Sequence, residues 1–322
     1  MSEHHHLPAS PATCHWGQFD AALPPVLTIE SGDHVTVDTI SGGPDVLPKH
    51  GFEILPEHRQ VLAALRPAFG GGHILTGPIA VRGARPGDVL EVRIRAVGFR
   101  QNWGWTRIAP LRGTLPEDFP ERRLWHTAID RQRCIGTLTW GQEIPLAPFF
   151  GVMGVAPKPI YGAVTTIIPR EFGGNIDLAE LTAGATLYLP VWTEGALFSV
   201  GDGHGVQGDG EVCLTALETA LTGTFEFVLR KDLQLVMPRA ETPSHHITLG
   251  LDEDLDDAAK QALREMIKLL GERMGLAPVD AYMLASLAAN LRVTQLVDGN
   301  KGIHAMIAKS LVDGRPSGTS AR

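Results

Sequence analysis

The residues best suited to chemistry are concentrated in one glycine-rich segment, 199–211, which reads SVGDGHGVQGDGE. Such a density of glycine predicts a loop, because glycine leaves room for backbone or ligand to approach closely. Asp202 and His204 are two residues apart, so on extended backbone their side chains project to the same side. A carboxylate and an imidazole are suitable ligands for zinc or another divalent ion. The alternative is a calcium-type or purely turn-forming loop.

Glu211 ends this segment and directly precedes the apolar run Val212, Cys213 and Leu214. A carboxyl group against apolar surroundings is expected to have a raised pKa, which suits a general acid or base. The apolar residues on both sides of the segment place it at the edge of a core. The sequence therefore predicts a polar site with one carboxylate available for proton transfer.

Three further positions carry candidate functional groups. His73 lies in a second glycine-rich stretch, 70–78, but a lone histidine becomes a ligand only if the fold brings another histidine near it. Asp38 ends a short predicted strand and is a weaker candidate for an oxygen ligand. Asn175 can donate to a carbonyl oxygen and Asp177 can accept from an amide NH₂ group, although an Asx turn explains the pair equally simply.

Other catalytic chemistries lack their usual sequence context. Cys213 as a nucleophile needs a partner base, and no cysteine-protease signature surrounds it. The chain has no GxSxG elbow, no Walker A motif and no GxGxxG opening a helix. The run His4, His5, His6 is expected to be a solvated, mobile N-terminus.

The elements that must position these residues follow from the hydrophobic pattern. Strict alternation predicts a strand over 88–97, and similar turn-then-strand patterns occur elsewhere. Apolar spacing of i, i+3, i+4 predicts an amphipathic helix over 255–274, with Gly275 as its C-terminal glycine. The remaining predicted elements are strands at 35–37, 187–189, 224–229, 233–237 and 292–297, and a helix over 278–290.

The predicted fold class is α+β and β-rich, because helices and strands are segregated along the chain. We expect barrel- or sandwich-like β domains with C-terminal helices covering the sheet. The expected division is an N-terminal β-rich domain over 1–160 and an α+β domain over 161–322 that carries the glycine-rich site segment.

Composition narrows the function classes. The 322 residues include 36 Gly and 23 Pro, an excess that argues against a helix bundle. The net charge of -8 without a basic block argues against nucleic acid as a partner. No window approaches the roughly 20 apolar residues of a membrane span, and no secretory signal is recognisable. Three widely spaced cysteines predict a reducing, cytoplasmic location.

At these motifs the chain resembles the acetamidase/formamidase family, and the paired GDGH and QGDGE stretches are the most specific part of the likeness. The resemblance implies a homo-oligomeric, cytoplasmic amidohydrolase, commonly built from dimers, that releases ammonia from small amides with the help of a divalent metal, zinc or calcium. The family also includes lactam-hydrolysing members. The matching stretches are 15–17, 24–27, 31–33, 73–79, 83–90, 151–157, 174–177, 189–191, 195–199, 201–211, 282–284 and 295–297.

The mechanism that follows from the resemblance distributes the roles among the candidates. The metal ligands would be His73, Asp202 and His204, with Asp38 as a further ligand. Glu211 would move the proton of the attacking water, and Asp209 or Asn175 would orient the amide. The resemblance implies short amides such as formamide or acetamide as substrates, and the many Trp and Pro residues over 103–157 are expected to wall off a small cavity. Leu214 stands where a smaller residue is expected and would narrow that cavity further. The alternatives are a non-catalytic small-ligand or metal-binding β-protein, a lactam hydrolase, and a metal-free amidase that uses Cys213.

Overall fold

A computed structural model describes residues 2–314 of the chain, and most of its regular structure is strand. The strands are β1 (His4–Leu7), β2 (Cys14–Trp16), β3 (Gln18–Phe19), β4 (Leu27–Ile29), β5 (His34–Asp38), β6 (Ile74–Val81), β7 (Val89–Phe99), β8 (Trp103–Ile108), β9 (Arg123–Asp130), β10 (Ile135–Thr137), β11 (Glu143–Pro145), β12 (Phe149–Gly154), β13 (Val164–Thr165), β14 (Gly173–Asn175), β15 (Thr186–Pro190), β16 (Phe198–His204), β17 (Leu221–Arg230), β18 (Arg239–Glu241), β19 (His245–Asp252), β20 (Asn290–Gln295) and β21 (Lys301–Ala308). The helices are α1 (Pro56–Ala64), α2 (Leu255–Met274), α3 (Pro278–Ala288) and α4 (Lys309–Val312).

Two large sheets form the framework. One has nine strands in the order β1-β5-β17-β7-β15-β18-β19-β21-β20. The other has six, in the order β14-β12-β16-β6-β2, with β4 beside β6. A four-stranded sheet, β11-β10-β9-β8, and the pair β13-β3 complete the described strands. In residues 2–314 none of these sheets closes into a barrel.

The two large sheets pack face to face through aromatic side chains. Phe150 of β12 meets Phe225 of β17 at 5.5 Å between ring centroids, and Phe198 of β16 meets Phe227 of β17 at 5.1 Å. All four side chains are fully buried. This interface confirms the expected sandwich-like arrangement and makes β16 a central strand of one of its layers.

Helix α2 covers the outer part of the nine-stranded sheet, as the amphipathic pattern predicts. The side chain of Asp254, the N-cap, accepts hydrogen bonds from the first turn, and Gly275 ends the helix with a positive φ of 68°. At Gly250 of β19 a Cβ would overlap the α2 backbone carbonyl of Ala258, so the glycine allows the close approach. The described residues contain no helix with the length and apolar character needed to cross a membrane.

Several expectations need correction. Residues 233–237 form no strand, and His4–Leu7 is not free but pairs with β5 as a parallel edge strand. The boundary expected at residue 160 does not separate the sheets, since both large sheets combine strands from either side of it. One continuous core also joins residues from Leu7 to Met306. Burial of that shared core keeps the two halves together.

Candidate active site

The centre of the site is strand β16, the first half of the glycine-rich segment that the sequence predicts as a loop. Residues 198–204 are instead a fully buried strand between β12 and β6. Its glycines serve close packing: a Cβ on Gly203 would lie 2.5 Å from the carbonyl oxygen of Thr219, and one on Gly201 would overlap that of Ile74. The glycine content therefore reflects neighbouring backbone and not a flexible loop.

His204 lies at the middle of a set of carboxylates. Its Nε2 atom is 3.2 Å from Oδ2 of Asp202 and 3.2 Å from Oε1 of Glu218. The same atom is 3.9 Å from Oε1 of Glu211, and Nδ1 is 3.9 Å from Oδ1 of Asp177. All five side chains are buried, so the carboxylates face one another with little solvent between them.

The backbone is unusual where these acids are placed. Asp177, Asp202 and Glu211 have positive φ angles of 47°, 55° and 46°. Residues with side chains rarely adopt this conformation, and it concentrates at functional sites where surrounding structure enforces it. Here the enforced conformation turns three carboxylates toward one imidazole.

Glu218 is held by backbone pairing on both sides. Its N–H donates to the carbonyl of Trp105 and its carbonyl accepts from Trp105 N–H, each at 2.8 Å. On the other side it forms a bridge with His204. Because β8 and β16 both hold this residue, its carboxylate has a fixed position beside the imidazole.

Burial and mutual repulsion shift the ionisation of the cluster. Burial, with the nearby charge of Asp202, raises the pKa of Glu218 to about 8. Burial and the charge of Asp177 raise the pKa of Glu211 well above its usual value, and burial does the same for Asp298. Burial alone would raise the pKa of Asp202, but the positive charges of His73 and His204 outweigh it and lower that pKa.

The donor set fits a divalent cation. Two groups of three residues could each hold a cation, because within each group the three possible ligand atoms lie within 4.8 Å of one another. The groups are Asp202, His204 and Glu218, and Asp177, His204 and Glu211. Both oxygens of Asp177, both nitrogens of His204 and Oε2 of Glu218 are buried without a hydrogen-bond partner in the described part of the chain. Buried, uncompensated carboxylates are costly, and a cation offsets that cost.

Gly151 of β12 leaves the space beside this cluster open. A Cβ at this position would overlap Oδ1 of Asp177 and lie 2.6 Å from both Oδ2 of Asp202 and Cε1 of His204. Any side chain here would therefore displace the candidate ligands. The arrangement of the carboxylates therefore requires glycine at position 151.

A cavity of about 800 Å³ connects the cluster to the surface. Asp202, Glu211, Glu218 and Asp298 form its acidic end. His73 also lines it, and its Nε2 atom is 3.8 Å from Oδ1 of Asp202. The fold therefore places His73 beside Asp202, although His73 belongs to neither of the two groups of possible ligand atoms in the described residues.

Two predicted residues lie elsewhere. The carboxylate of Asp38 accepts from Thr222 at 2.6 Å and pairs with His6 at 2.9 Å and Arg100 at 3.3 Å, so it does not join the cluster. Its place at the end of β5 puts it in the other sheet. Asp209 pairs with Arg292 and is half exposed, so it is not positioned to orient a substrate amide.

Asn175 and Asp177 differ from their expected roles. Asn175 lines the cavity, but its Nδ2 donates to the carbonyl of Ile167 at 3.3 Å, which leaves the acceptor Oδ1 without a partner. Asn175 is thus suited to accept a hydrogen bond, not to donate one. Asp177 does not line the cavity and lies among the buried carboxylates. Leu214 lines the cavity wall with a positive φ of 113°.

The sequence prediction missed Glu218, Asp298 and Gly151. Glu218 is the only charged residue in the mostly apolar stretch from Ala216 to Leu221, and an isolated acid in such a stretch is the signal that identifies it. Asp298 follows β20 in a turn, where acidic residues are common, so its type and spacing carry no comparable signal. The need for Gly151 arises only from packing between strands.

Comparison with known proteins shows the family of this chain. The model of the acetamidase/formamidase family matches residues 8–161 and 160–309. A formamidase of Methylophilus methylotrophus is 30% identical over 191 residues, 44% of this chain and 47% of that protein. An acetamidase of Mycolicibacterium smegmatis is 28% identical over 200 residues, 44% of this chain and 49% of that protein. The chain spans about half the length of these curated relatives.

A solved structure matches over nearly the whole chain. It is a predicted acetamidase/formamidase from Thermoanaerobacter tengcongensis, with a TM-score of 0.85 at 26% identity, covering 98% of each chain. The same sandwich of large sheets is therefore present in an independently solved protein. With the family model matching almost all of the described residues, the chain belongs to the acetamidase/formamidase family.

Proposed function

We propose that this chain is a metal-dependent amidohydrolase that releases ammonia from short aliphatic amides such as formamide or acetamide. The observation that carries the proposal is the buried cluster around His204, which opens into a cavity and contains a carboxylate with a raised pKa. The names of the relatives, formamidase and acetamidase, support the same reaction.

Asp202, His204 and Glu218 would hold the metal ion, with His73 beside them. The mixture of imidazole nitrogen and carboxylate oxygen favours zinc, because calcium prefers ligands that are all oxygen. When bound, a divalent ion supplies positive charge that polarises an amide carbonyl and makes water more acidic. The remaining steps use groups of the protein itself.

Glu211 is the proposed general base and acid. It takes a proton from the attacking water as the new C–O bond forms, and returns it to the amide nitrogen as the C–N bond breaks. Ammonia and a carboxylic acid are the products. Burial and the charge of Asp177 raise the pKa of Glu211, which makes its carboxylate a stronger base for this proton transfer.

Asn175 is proposed to orient the substrate. Asn175 lines the cavity and its Oδ1 has no partner among the described residues, so this oxygen is the proposed acceptor for the amide NH₂. Leu214 lines the cavity beside Glu211, since its N–H donates to the carbonyl of Glu211 at 3.1 Å. A longer neutral acyl chain would extend towards the arginines that also line the cavity and desolvate their charges without compensation, so it would be a poorer substrate.

The test is ammonia release by the purified protein from formamide, acetamide, propionamide, butyramide and small lactams. We expect kcat/KM to fall along the neutral aliphatic series, and a chelator to abolish activity that added zinc restores. A flat or rising series, or activity on lactams alone, would refute the substrate assignment. Absence of ammonia from every amide would favour a non-catalytic binding protein.

We also propose that the chain assembles into a homo-oligomer in the cytoplasm. Helix α3 exposes a row of apolar side chains, with Val279, Tyr282, Met283 and Leu287 each more than half exposed, and covering them would favour association. The three cysteines are free, as a reducing compartment requires. Light scattering of the purified protein would give the oligomer size, and a monomer would refute the assembly.

A further inference from the structure

The cavity is larger than a short amide requires, and its outer end is basic. Its volume of about 800 Å³ lies in the range of pockets that enclose much larger ligands. Four arginines line it: Arg66, Arg107, Arg112 and Arg122. Since the chain carries a net charge of -8, this concentration of positive charge runs against its overall composition.

Two of the four guanidinium groups have protein partners. Arg66 donates to the carbonyl of Leu65 at 2.7 Å at the end of α1. Arg107 pairs with Asp45 at 3.1 Å. By contrast, neither Arg112 nor Arg122 has a carboxylate oxygen within 4.0 Å among residues 2–314. Both are exposed, so their positive charge faces the solvent end of the cavity.

The segment that carries Arg112 is attached to the segment that carries Glu211. Thr114 N–H donates to the carbonyl of Val212 at 2.9 Å. Gly113 lies so close to Cys213 that a Cβ would come within 3.2 Å of its carbonyl oxygen. These contacts tie the backbone that carries Arg112 to the backbone that follows the proposed general base, and both Arg112 and Glu211 line the cavity.

Apolar surface joins the two ends. Trp16, Ile40, Leu62, Leu65 and Trp105 line the cavity along with the charged groups. The result is an acidic floor, apolar walls and a basic rim. A ligand complementary to all three has a hydrogen-bonding amide, a short hydrocarbon segment and an anionic group.

We infer that the site takes primary amides that carry a carboxylate, the monoamides of short dicarboxylic acids, with the carboxylate at Arg112 and Arg122 and the amide at the floor. This inference rests on the amidase function proposed above. A longer neutral acyl chain should then bind less tightly. A longer chain that ends in a carboxylate should bind more tightly, until the carboxylate reaches Arg112 and Arg122.

Binding can be tested without turnover. 5-Oxohexanoate has a methyl ketone in place of the amide of glutaramate, so it cannot release ammonia, and its methyl ester lacks the charge. Calorimetry with the metal-loaded protein should give about ten-fold tighter binding of the acid than of the ester, weakened by 0.5 M salt. The Arg112→Ala/Arg122→Ala variant should lose this preference.

The matched control is Arg59→Ala/Arg131→Ala, which removes the same charge from exposed arginines that do not line the cavity. It should bind both compounds as the unmodified protein does. Equal binding of acid and ester, or a preference for the acid that survives the Arg112→Ala/Arg122→Ala change, would overturn the inference. Acetamide hydrolysis, measured separately on the same samples, decides the proposed function on its own.

Discussion

Arg292 holds the carboxylate of Asp209 with two parallel hydrogen bonds, from Nε at 2.8 Å and from Nη2 at 2.7 Å. The same guanidinium also donates to Glu180. Next to Asp209, Gly210 N–H donates to the carbonyl of Thr294 at 3.2 Å, so strand β20 anchors the backbone that leads into Glu211. Asp209 therefore positions the site segment and does not touch the reacting groups.

The first prediction concerns this pair. Both side chains are about 39% exposed, so solvent weakens the ion pair to about 0.5–1 kcal/mol of stability. We expect Asp209→Asn and Arg292→Ala each to lower kcat/KM less than ten-fold and to leave the pH profile unchanged. A double-mutant cycle should show that the two effects overlap. Full additivity, or a shifted pH profile, would contradict a positioning role.

Glu211→Gln tests proton transfer directly. Glutamine keeps the size of the side chain but cannot accept and return a proton, so kcat should fall by about 10²–10⁴-fold. Metal content and melting temperature should stay close to those of the unmodified protein. Asp209→Asn is the control for a nearby loss of charge. Activity retained in Glu211→Gln would remove this residue from the mechanism.

Gly151→Ala tests the space beside the ligands. Its Cβ would lie 2.6 Å from Oδ2 of Asp202 and from Cε1 of His204, so at least one of these side chains must move. We expect loss of bound metal and of most activity. The control is Gly98→Ala, where a Cβ has no neighbour within 4 Å; this variant should keep its activity and its bound metal. Full metal content in Gly151→Ala would show that the ligands lie elsewhere.

His15 gives a prediction for pH dependence. Burial lowers its pKa from 6.5 to about 4, and its Nε2 atom bonds with Ser199 Oγ at 2.9 Å. The unfolded chain binds a proton at His15 more readily than the folded protein does. His15 therefore leaves the free energy of unfolding at its full value above pH 6.5 and lowers it as the pH falls from 6.5 toward 4. This difference in the pKa of His15 between the unfolded and the folded protein corresponds to about 3 kcal/mol of unfolding free energy.

His15→Gln should therefore show a shallower loss of unfolding free energy between pH 6.5 and 4, measured by urea denaturation. His50→Gln, a change at an exposed histidine, is the matched control and should follow the unmodified protein. If His15→Gln loses stability with the same slope as the unmodified protein, the buried imidazole is not the cause.

The regular elements with strong periodicity could be predicted from sequence, whereas the site could be predicted only in part. Helix α2 has the bounds that its apolar spacing indicates, and its polar face and caps agree. The pair Asp202 and His204 can be predicted because the two residues are close in sequence. Glu218 and Asp298 reach the same cluster from other elements, and only tertiary packing brings them there.

The glycine-rich segment shows why local reasoning failed at β16. Glycine content normally predicts a loop, but at Gly201 and Gly203 the missing side chains make room for neighbouring strands. Asp38 failed for a related reason: its strand belongs to the nine-stranded sheet, and the pairing that places it there joins β5 to β1 and β17. Neither fact is encoded in residues adjacent in sequence.

The central claim is that the buried carboxylates around His204 hold a divalent cation. The most direct test is elemental analysis by mass spectrometry of the protein purified without added metal or affinity resin, alongside His204→Gln. We predict about one zinc ion per chain in the unmodified protein and its loss in the variant, with the fold retained by circular dichroism. A metal-free protein that still releases ammonia, or a His204→Gln protein that keeps its zinc, would contradict the account.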